Sequence, residues 1–224
     1  RRLGVRFEWG TEVTGFERQG RRIVAIRTPN GALAADKVVN AAGAWAAPLA
    51  RLAGVELPVT PLRRQVAATV PCDLLPASMP MTIWAGDGFH LRVRDGRVLL
   101  LWPTPGVPGR PFDATVDPEW VRAVVDKASG RVPVLKKTAV DPSACWAGLY
   151  EMSPDKHAIL GLAPGCDNFY LINGSSGHGV MHAPALGQLL GEIICDGRAT
   201  SLDVHPLRPE RFAEGDPNPV PGLL

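Results

Sequence analysis

The sequence predicts an α/β (α+β) fold in which parts of one open α/β layer flank an inserted, mainly antiparallel sheet. Three observations carry this. An apolar segment, Phe169-Tyr170-Leu171-Ile172, runs through Asn173-Gly174-Ser175-Ser176-Gly177-His178-Gly179 into an apolar-periodic stretch, the pattern of strand, glycine turn and helix. A second apolar run, Val38-Val39-Asn40-Ala41-Ala42-Gly43-Ala44-Trp45, opens through small residues into helical spacing over 46–52, closed by Gly54. Between them, from 57 to about 139, prolines and glycines become frequent and the apolar runs are short, as in antiparallel sheet.

Taken in order, residues 4–9 alternate in strand fashion, and 12–16 continue the strand to a turn at Gln19-Gly20-Arg21. Residues 22–28 form a second strand, and Asn30-Gly31 signals a hairpin. In the middle, strands are expected over 65–70, 88–93 and 97–102, then a loop over 103–111. A helix over 118–128 follows, with Asp117 placed to cap it. Residues 144–155 read as loop or strand, 158–161 and 168–173 as strands. The last helix spans about 182 to 195, with Leu186, Leu189, Leu190, Ile193 and Ile194 on one side and a stop at Asp196-Gly197. The proline-rich end from 216 is expected to fray. The domain partition is 1–56 and 141–212 for the α/β part, 57–140 for the inserted sheet, and 213–224 for a tail.

With 224 residues, 46% hydrophobic and 21% charged, the chain is long enough for a sizeable core. Twenty-four basic and 22 acidic residues leave a net charge of +2 without a long basic run, which excludes nucleic acid as partner and leaves a small molecule. Cys72, Cys145, Cys166 and Cys195 lie far apart, with no C-x-x-C pair and no histidine at ligand spacing. Neither a zinc site nor a disulfide framework is indicated, and a cytoplasmic setting is expected. No apolar run is long enough to be a transmembrane segment. Arg1-Arg2-Leu3 is not an initiator sequence, and the chain is expected to be a fragment.

Three glycines in six residues, Gly174, Gly177 and Gly179, let backbone approach a planar or anionic group, and free N–H groups at the following helix start point at whatever sits there. A tight turn without a ligand has the same glycines, so this segment alone leaves both readings open. His178 reads as positioning the turn; no serine and aspartate stand at triad spacing, and Ser175 and Ser176 are outside a G-x-S-x-G elbow. Tyr150 either donates a hydrogen bond to a substrate or is a half-buried aromatic on a sheet. Asp155, after Ser153-Pro154, reads as a turn residue. His90 and Arg92 alternate with Phe89 and Leu91, facing a cavity or, as the safer reading, solvent. Arg63 and Arg64 are a charged pair able to approach an anion, though most such pairs are solvated.

Five blocks in order, Val38 through Trp45, Pro61-Leu62-Arg63-Arg64-Gln65, Trp146 through Asp155, Gly174 through Gly179, and Asp196-Gly197 leading to Arg211-Phe212, resemble the FAD-dependent D-amino acid oxidase superfamily. They cover nearly the whole chain. The resemblance implies the C-terminal part of a FAD-binding Rossmann-like domain with an inserted antiparallel substrate sheet. It also implies oxidation of the C–N bond of a small amino acid or secondary amine by hydride transfer to flavin. It places Val13 against the adenine; Ala42, Gly43 and Trp45 near the ribose and pyrophosphate; and Gly174, Ser176, Gly177, His178, Gly179, Val180 and Met181 under the isoalloxazine. Tyr150 would orient substrate, with His90 or Arg92 lining its pocket. Oxidases of glycine and D-amino acids carry an arginine for the substrate carboxylate where this chain has Tyr150, so it looks more like the sarcosine, dimethylglycine and proline dehydrogenase branch. Gly148 stands where monomeric sarcosine oxidase attaches its flavin through cysteine, so the FAD is non-covalent at that position. Met181 stands where that enzyme has a carboxylate-binding lysine. The family's G-x-G-x-x-G would precede Arg1, so the FAD-binding segment at the N-terminus is missing and the chain alone is expected to be inactive. A remnant of the same fold without FAD, serving as a non-catalytic subunit in an oligomer, is the alternative, and a hydrolase using Ser176 and His178 a third.

Overall fold

The computed structural model describes residues 3–103 and 111–220 and divides into two compact units, one of Arg1–Thr60 with Glu151–Val220 and one spanning Pro61 to Tyr150. The first unit opens with strands β1 (Gly15–Gln19), β2 (Arg22–Thr28), β3 (Gly31–Ala34) and β4 (Val38–Asn40) and helix α1 (Ala46–Leu52). β1, β2 and β3 form an antiparallel sheet, with Pro29 and Asn30 between Thr28 and its partner Gly31. The strand expected over 4–9 is absent. Gly4 and Gly10 have φ of 82° and 64°, turning the backbone out of the extended region, and Leu3, Val5, Phe7 and Trp9 are all exposed. The alternation has no partner ladder to bury it; instead the Phe7 and Trp9 rings stack at 5.5 Å.

The second unit contains β5 (Thr60–Ala68), β6 (Thr82–Ile83), β7 (His90–Arg94), β8 (Arg97–Leu101), α2 (Pro118–Arg131) and β9 (Trp146–Met152). The strands form one sheet in the order β6-β7-β8-β5-β9. Because β9 is its edge strand, the unit reaches Tyr150, past the composition change near residue 140. Most of the loop expected over 103–111 lies outside the described residues. α2 covers one face, where Trp120, Val124 and Ala128 pack on Ala67, Phe89, Leu91, Val98 and Leu100. Asp87 ties the same helix down, accepting from Lys127 Nζ at 2.8 Å and from Arg131 Nη1 and Nη2 at 2.8 and 2.9 Å. Asp117 caps the helix by accepting from Glu119 N at 2.8 Å. Asp117→Ala should therefore lower stability by about 1 kcal/mol, read as a shift of the urea midpoint.

The chain then returns to the first unit through β10 (Ile159–Leu162), β11 (Phe169–Asn173) and α3 (Gly179–Asp196). β11 pairs antiparallel with β10 and parallel with β4, Phe169 opposite Val38 and Leu171 opposite Asn40. α1 presents Ala46, Ala47 and Ala50, all buried, to Ile23, Val38, Ile159, Phe169 and Leu171; side chains this small let helix and strands approach closely. Asn168 joins the two sheets: its Oδ1 accepts from Ile23 N at 2.8 Å, and its Nδ2 donates to Ile23 O and Asp36 O at 2.7 and 2.8 Å. α3 buries Leu186, Leu189 and Leu190 against Ala158 and Leu160 and stops at Gly197, φ 79°. It begins three residues before the expected 182, since His182 N already donates to His178 O at 3.0 Å.

The end of the chain is not frayed as far as Asn218. Its backbone N and Nδ2 both donate to Asp155 Oδ2 at 3.0 Å. That carboxylate is 1% exposed and faces Arg211, which is 0% exposed. Arg211 Nε and Nη2 form a fork onto Asp155 at 2.8 and 3.0 Å, and the remaining guanidinium N–H groups reach the carbonyls of His157, Leu207 and Arg208. Asp155 is thus the buried anchor of the C-terminal segment rather than an ordinary turn residue.

Candidate functional site

The parallel pair β4 and β11 places two corners at the same carboxyl edge of their sheet, the side on which open α/β sheets bind ligands. At the first corner, fully buried Asn40 shapes the exit from β4: its Nδ2 donates to Ala46 O at 2.9 Å and its Oδ1 accepts from Ala42 N at 3.1 Å. This holds Ala42 and Gly43 in a short 3₁₀ turn, Gly43–Trp45, in front of α1. Gly43 has φ 55° and open space where a Cβ would stand, and Trp45 is 55% exposed. The corner is not packed shut.

At the second corner three of four consecutive residues are left-handed or close to it. Gly174 has φ 74°, Ser176 50° and Gly177 93°. Ser176, a non-glycine residue in that region, is held from both sides: its hydroxyl donates to Gly174 O at 3.0 Å and accepts from Ser153 N at 3.1 Å. The Ser153 hydroxyl lies 2.7 Å from His157 O and 3.0 Å from Gly174 O. The Ser176 hydroxyl is buried inside the turn and has no hydrogen bond to His178, which speaks against the hydrolase reading; with its N–H donated to Glu151 O at 3.1 Å, Ser176 has its backbone carbonyl left to offer. His178 precedes α3 and stacks on His182, ring centroids 5.5 Å apart. Burial, then the neighbouring His178 and His157, lowers the His182 pKa. The amides of Gly179 and Val180 open α3 and have no acceptor within it, while Val180 and Met181 are 88% and 65% exposed beside them.

Two buried polar groups flank this turn without full partners. Asn173, 1% exposed at the end of β11, has neither Oδ1 nor Nδ2 hydrogen-bonded among the described residues. Glu151 Oε1 accepts from Ser175 N at 3.3 Å while its buried Oε2 has no partner. Burial raises the Glu151 pKa, against the lowering effect of the Gly174 and Ser175 amides. Orphaned amide and carboxyl atoms beside an open, donor-rich helix start fit a polar, planar ligand better than a sealed turn.

The second unit brings other site candidates together on one face of its sheet, the face away from α2. His90 is opposite Leu101 and Ile83, and Arg92 opposite Leu99, which in turn is opposite Ala68. Val66, Ala68 and Leu99 cluster on that side. Trp146 lines a depression with Ala68 and Leu99; Gly148 and Tyr150 follow it at alternate positions of β9. His90 is half-buried, and its Nδ1 lies 2.8 Å from Gly88 O. Val13 stands apart, just before β1 in the sheet of β1, β2 and β3.

Residues 1–193 match the family model described as FAD dependent oxidoreductase, DAO. The chain belongs to this DAO family. Its members depend on FAD, and the oxidoreductase class follows. Glycine oxidase of Pseudomonas aeruginosa is 33% identical, over 89% of this chain and 52% of that protein. Hydrogen cyanide synthase subunit HcnC of Pseudomonas protegens is 31% identical, over 95% of this chain and 49% of its own length. The crystal structure of L-proline dehydrogenase from P. horikoshii superposes with a TM-score of 0.82 at 30% identity, over 93% of this chain and 55% of that one. The chain spans about half the length of the curated relatives it matches. Among the described residues no helix is long and apolar enough to cross a membrane, and no cluster of His, Cys, Asp and Glu could hold a metal ion.

Within the DAO fold, three supports of the site escaped the sequence: Asn40, Glu151 and the Asp155–Arg211 pair. Asn40 carried a signal, a lone amide in an apolar run just before small residues, where a backbone corner needs an acceptor and a donor. The ion pair, 56 residues apart, had none.

Proposed function

We propose that the protein carrying this chain oxidises the C–N bond of a small amino acid or secondary amine, with FAD bound non-covalently. The observation that carries this reading is the opening of both glycine corners, Ala42-Gly43 and Gly174 to Gly179, at one carboxyl edge of a parallel strand pair. FAD, when bound, accepts the hydride that leaves the substrate carbon. Ala42, Gly43 and Trp45 hold its ribose and pyrophosphate side, Val13 its adenine. Gly174, the Ser176 backbone, Gly177, His178 and Gly179 hold the ring side, and the exposed Val180 and Met181 supply apolar surface for packing. The free first-turn amides of α3 and the positive end of its dipole stabilise negative charge at the ring. Gly148, lacking a side chain, offers no atom for a covalent flavin link.

On the second unit, Tyr150 orients the substrate through its hydroxyl, and His90 and Arg92 line the same sheet face. Hydride loss from the carbon of the neutral amine would leave an iminium group, which water would hydrolyse to a carbonyl and the free amine. The four cysteines are all unpaired, which supports a reducing, cytoplasmic setting.

The test is anaerobic mixing of the purified flavoprotein with small amino acids and secondary amines. Bleaching of the flavin absorbance is expected; a protein purified without flavin, or one that no such amine bleaches, overturns the reading. Tyr150→Phe should lower kcat/KM about 5- to 10-fold with full flavin content, the loss of one hydrogen bond. Unchanged kinetics would remove the role from Tyr150.

A further inference from the structure

Three buried or half-buried carboxylates are neutralised by cations: Asp87 by Lys127 and Arg131, Asp141 by Arg97, and Asp155 by Arg211. Glu151, half-buried near the end of β9, is not: among the described residues it makes no ion pair, and no charged side chain acts on its titration. What it has instead is the head of α3. Its Oε1 accepts from Ser175 N at 3.3 Å and its main-chain O from Ser176 N at 3.1 Å. A Cβ added to Gly179, the first residue of α3, would stand 3.9 Å from the same Oε1. Oε2 is buried without a partner among the described residues. One amide and a helix end are thus the compensation an ionised Glu151 receives for lost water. Burial accordingly raises its pKa, with the amides of Gly174 and Ser175 pulling the other way.

The other titratable groups around this turn are engaged elsewhere or face away. Asp155 is held by Arg211. His178 and His182 stack on each other, and the His182 pKa is lowered by burial, then by His178 and His157. Tyr150, the neighbour of Glu151 on β9, points to the opposite face of the strand, with the Arg64 guanidinium 5.7 Å from its ring centroid. Glu151 is therefore the acid that shares the head of α3 with any negative charge arriving there. The oxidase reading supplies that charge: hydride leaving a neutral amine adds one negative charge to the ring and leaves the substrate as iminium. Two like charges within one helix turn, in a partly buried setting, disfavour each other by about tenfold or more in an equilibrium constant.

We propose that Glu151 takes up a proton from solvent as the flavin is reduced, and so ties the potential of the bound flavin to pH. The inference rests on the oxidase reading above and adds a proton-accepting role at the same turn. The step balances: hydride passes from the substrate carbon to the flavin, one solvent proton passes to the Glu151 carboxylate, and the head of α3 carries one negative charge rather than two. Coupling of this kind is reciprocal, so protonating Glu151 first favours flavin reduction by the same factor.

The experiment is a spectroelectrochemical titration of the purified flavoprotein without substrate, from about pH 5 to 9, the range in which a raised carboxyl titrates. Over part of that range wild type should take up one proton per two electrons more than Glu151→Gln, a further tenfold in the equilibrium per pH unit, or about 30 mV. Glutamine keeps an acceptor for Ser175 N and cannot titrate, so flavin content and urea midpoint should stay near wild type while the extra proton disappears. Equal slopes in the two proteins overturn the inference; steep slopes in both would hand the proton to a histidine. A merely structural Glu151 would move flavin content or the urea midpoint and leave the slope alone, which overturns it too. Should Glu151→Gln not retain flavin, the infrared difference spectrum of wild type on reduction decides. A new protonated-carboxyl band is expected there, and its absence overturns the inference. Leaving out substrate keeps the two claims apart. A flavin that amines bleach, with equal slopes in both proteins, leaves the oxidase reading standing and sinks the proton site. A steep slope that depends on Glu151, in a flavin no amine bleaches, does the reverse.

Discussion

Arg211→Met should destabilise the first unit by about 3–5 kcal/mol, the cost of leaving a buried carboxylate without its cation. Asp155 is 1% exposed and keeps two acceptor oxygens surrounded by Arg211, the Asn218 amide groups and the His157 N–H. Removing the guanidinium strands that charge and takes a donor from the half-buried carbonyls of Leu207 and Arg208. The double variant Asp155→Leu, Arg211→Met should be less destabilised than Arg211→Met alone, because no unpaired charge is left behind. Urea unfolding followed by circular dichroism measures both; a single variant within 1 kcal/mol of wild type would show that the pair is dispensable. The pair also fixes an acid limit. Burial alone would raise the Asp155 pKa, but Arg211, then Asn218 and His157, outweigh it and hold the folded-state value well below the ordinary 3.8. A depressed carboxylate pKa contributes stability in full above the unfolded value, and that contribution is lost as pH falls below about 4. Wild-type stability should therefore not respond to this group between pH 5 and 8, and should decline on acidification beneath that window.

How much of this was legible in the sequence depends on the range of the interaction that decides each feature. β2 coincides with its expected span, and so does α1, because period-2 and period-3.6 patterns are local and end in turn chemistry at Asn30-Gly31 and Gly54. Residues 4–9 carried the same alternation, yet Gly4 and Gly10 turn the chain and no neighbouring strand is there to bury it; periodicity shows that a segment can be a strand, and a ladder decides whether it is one. The glycine corners were legible as corners. That both open at one edge was not, since it depends on the parallel pairing of β4 with β11 across more than a hundred residues. Arg63 and Arg64 show the limit most plainly. Adjacent and chemically identical, they read as one charged pair, and only alternation on β5 sends one to Asp113 and the other to the Tyr150 ring.

Gly174→Val should lower stability by about 2–5 kcal/mol and empty the flavin site, while Gly187→Ala on α3 should do neither. At Gly174 the backbone has φ 74° and an added Cβ would stand 3.0 Å from Ser153 Cβ and 3.4 Å from Ile159 Cγ1. The left-handed conformation costs a side-chain-bearing residue about 1–2 kcal/mol and a β-branched one more, and the overpacking adds about 1–3 kcal/mol. Ser153 cannot retreat cheaply, because its hydroxyl is shared between His157 O and Gly174 O and its N–H is spent on Ser176. The strain would pass into the Ser176 and Gly177 turn and displace the amides at the head of α3. At Gly187 an added Cβ meets nothing within 4 Å; alanine there removes backbone freedom from the unfolded chain and should gain up to about 1 kcal/mol. Urea midpoints give the stability change and the absorbance ratio at flavin and protein wavelengths gives occupancy. Full flavin content in a folded Gly174→Val protein would mean that this turn is a structural corner only, and the cofactor cradle would have to lie elsewhere.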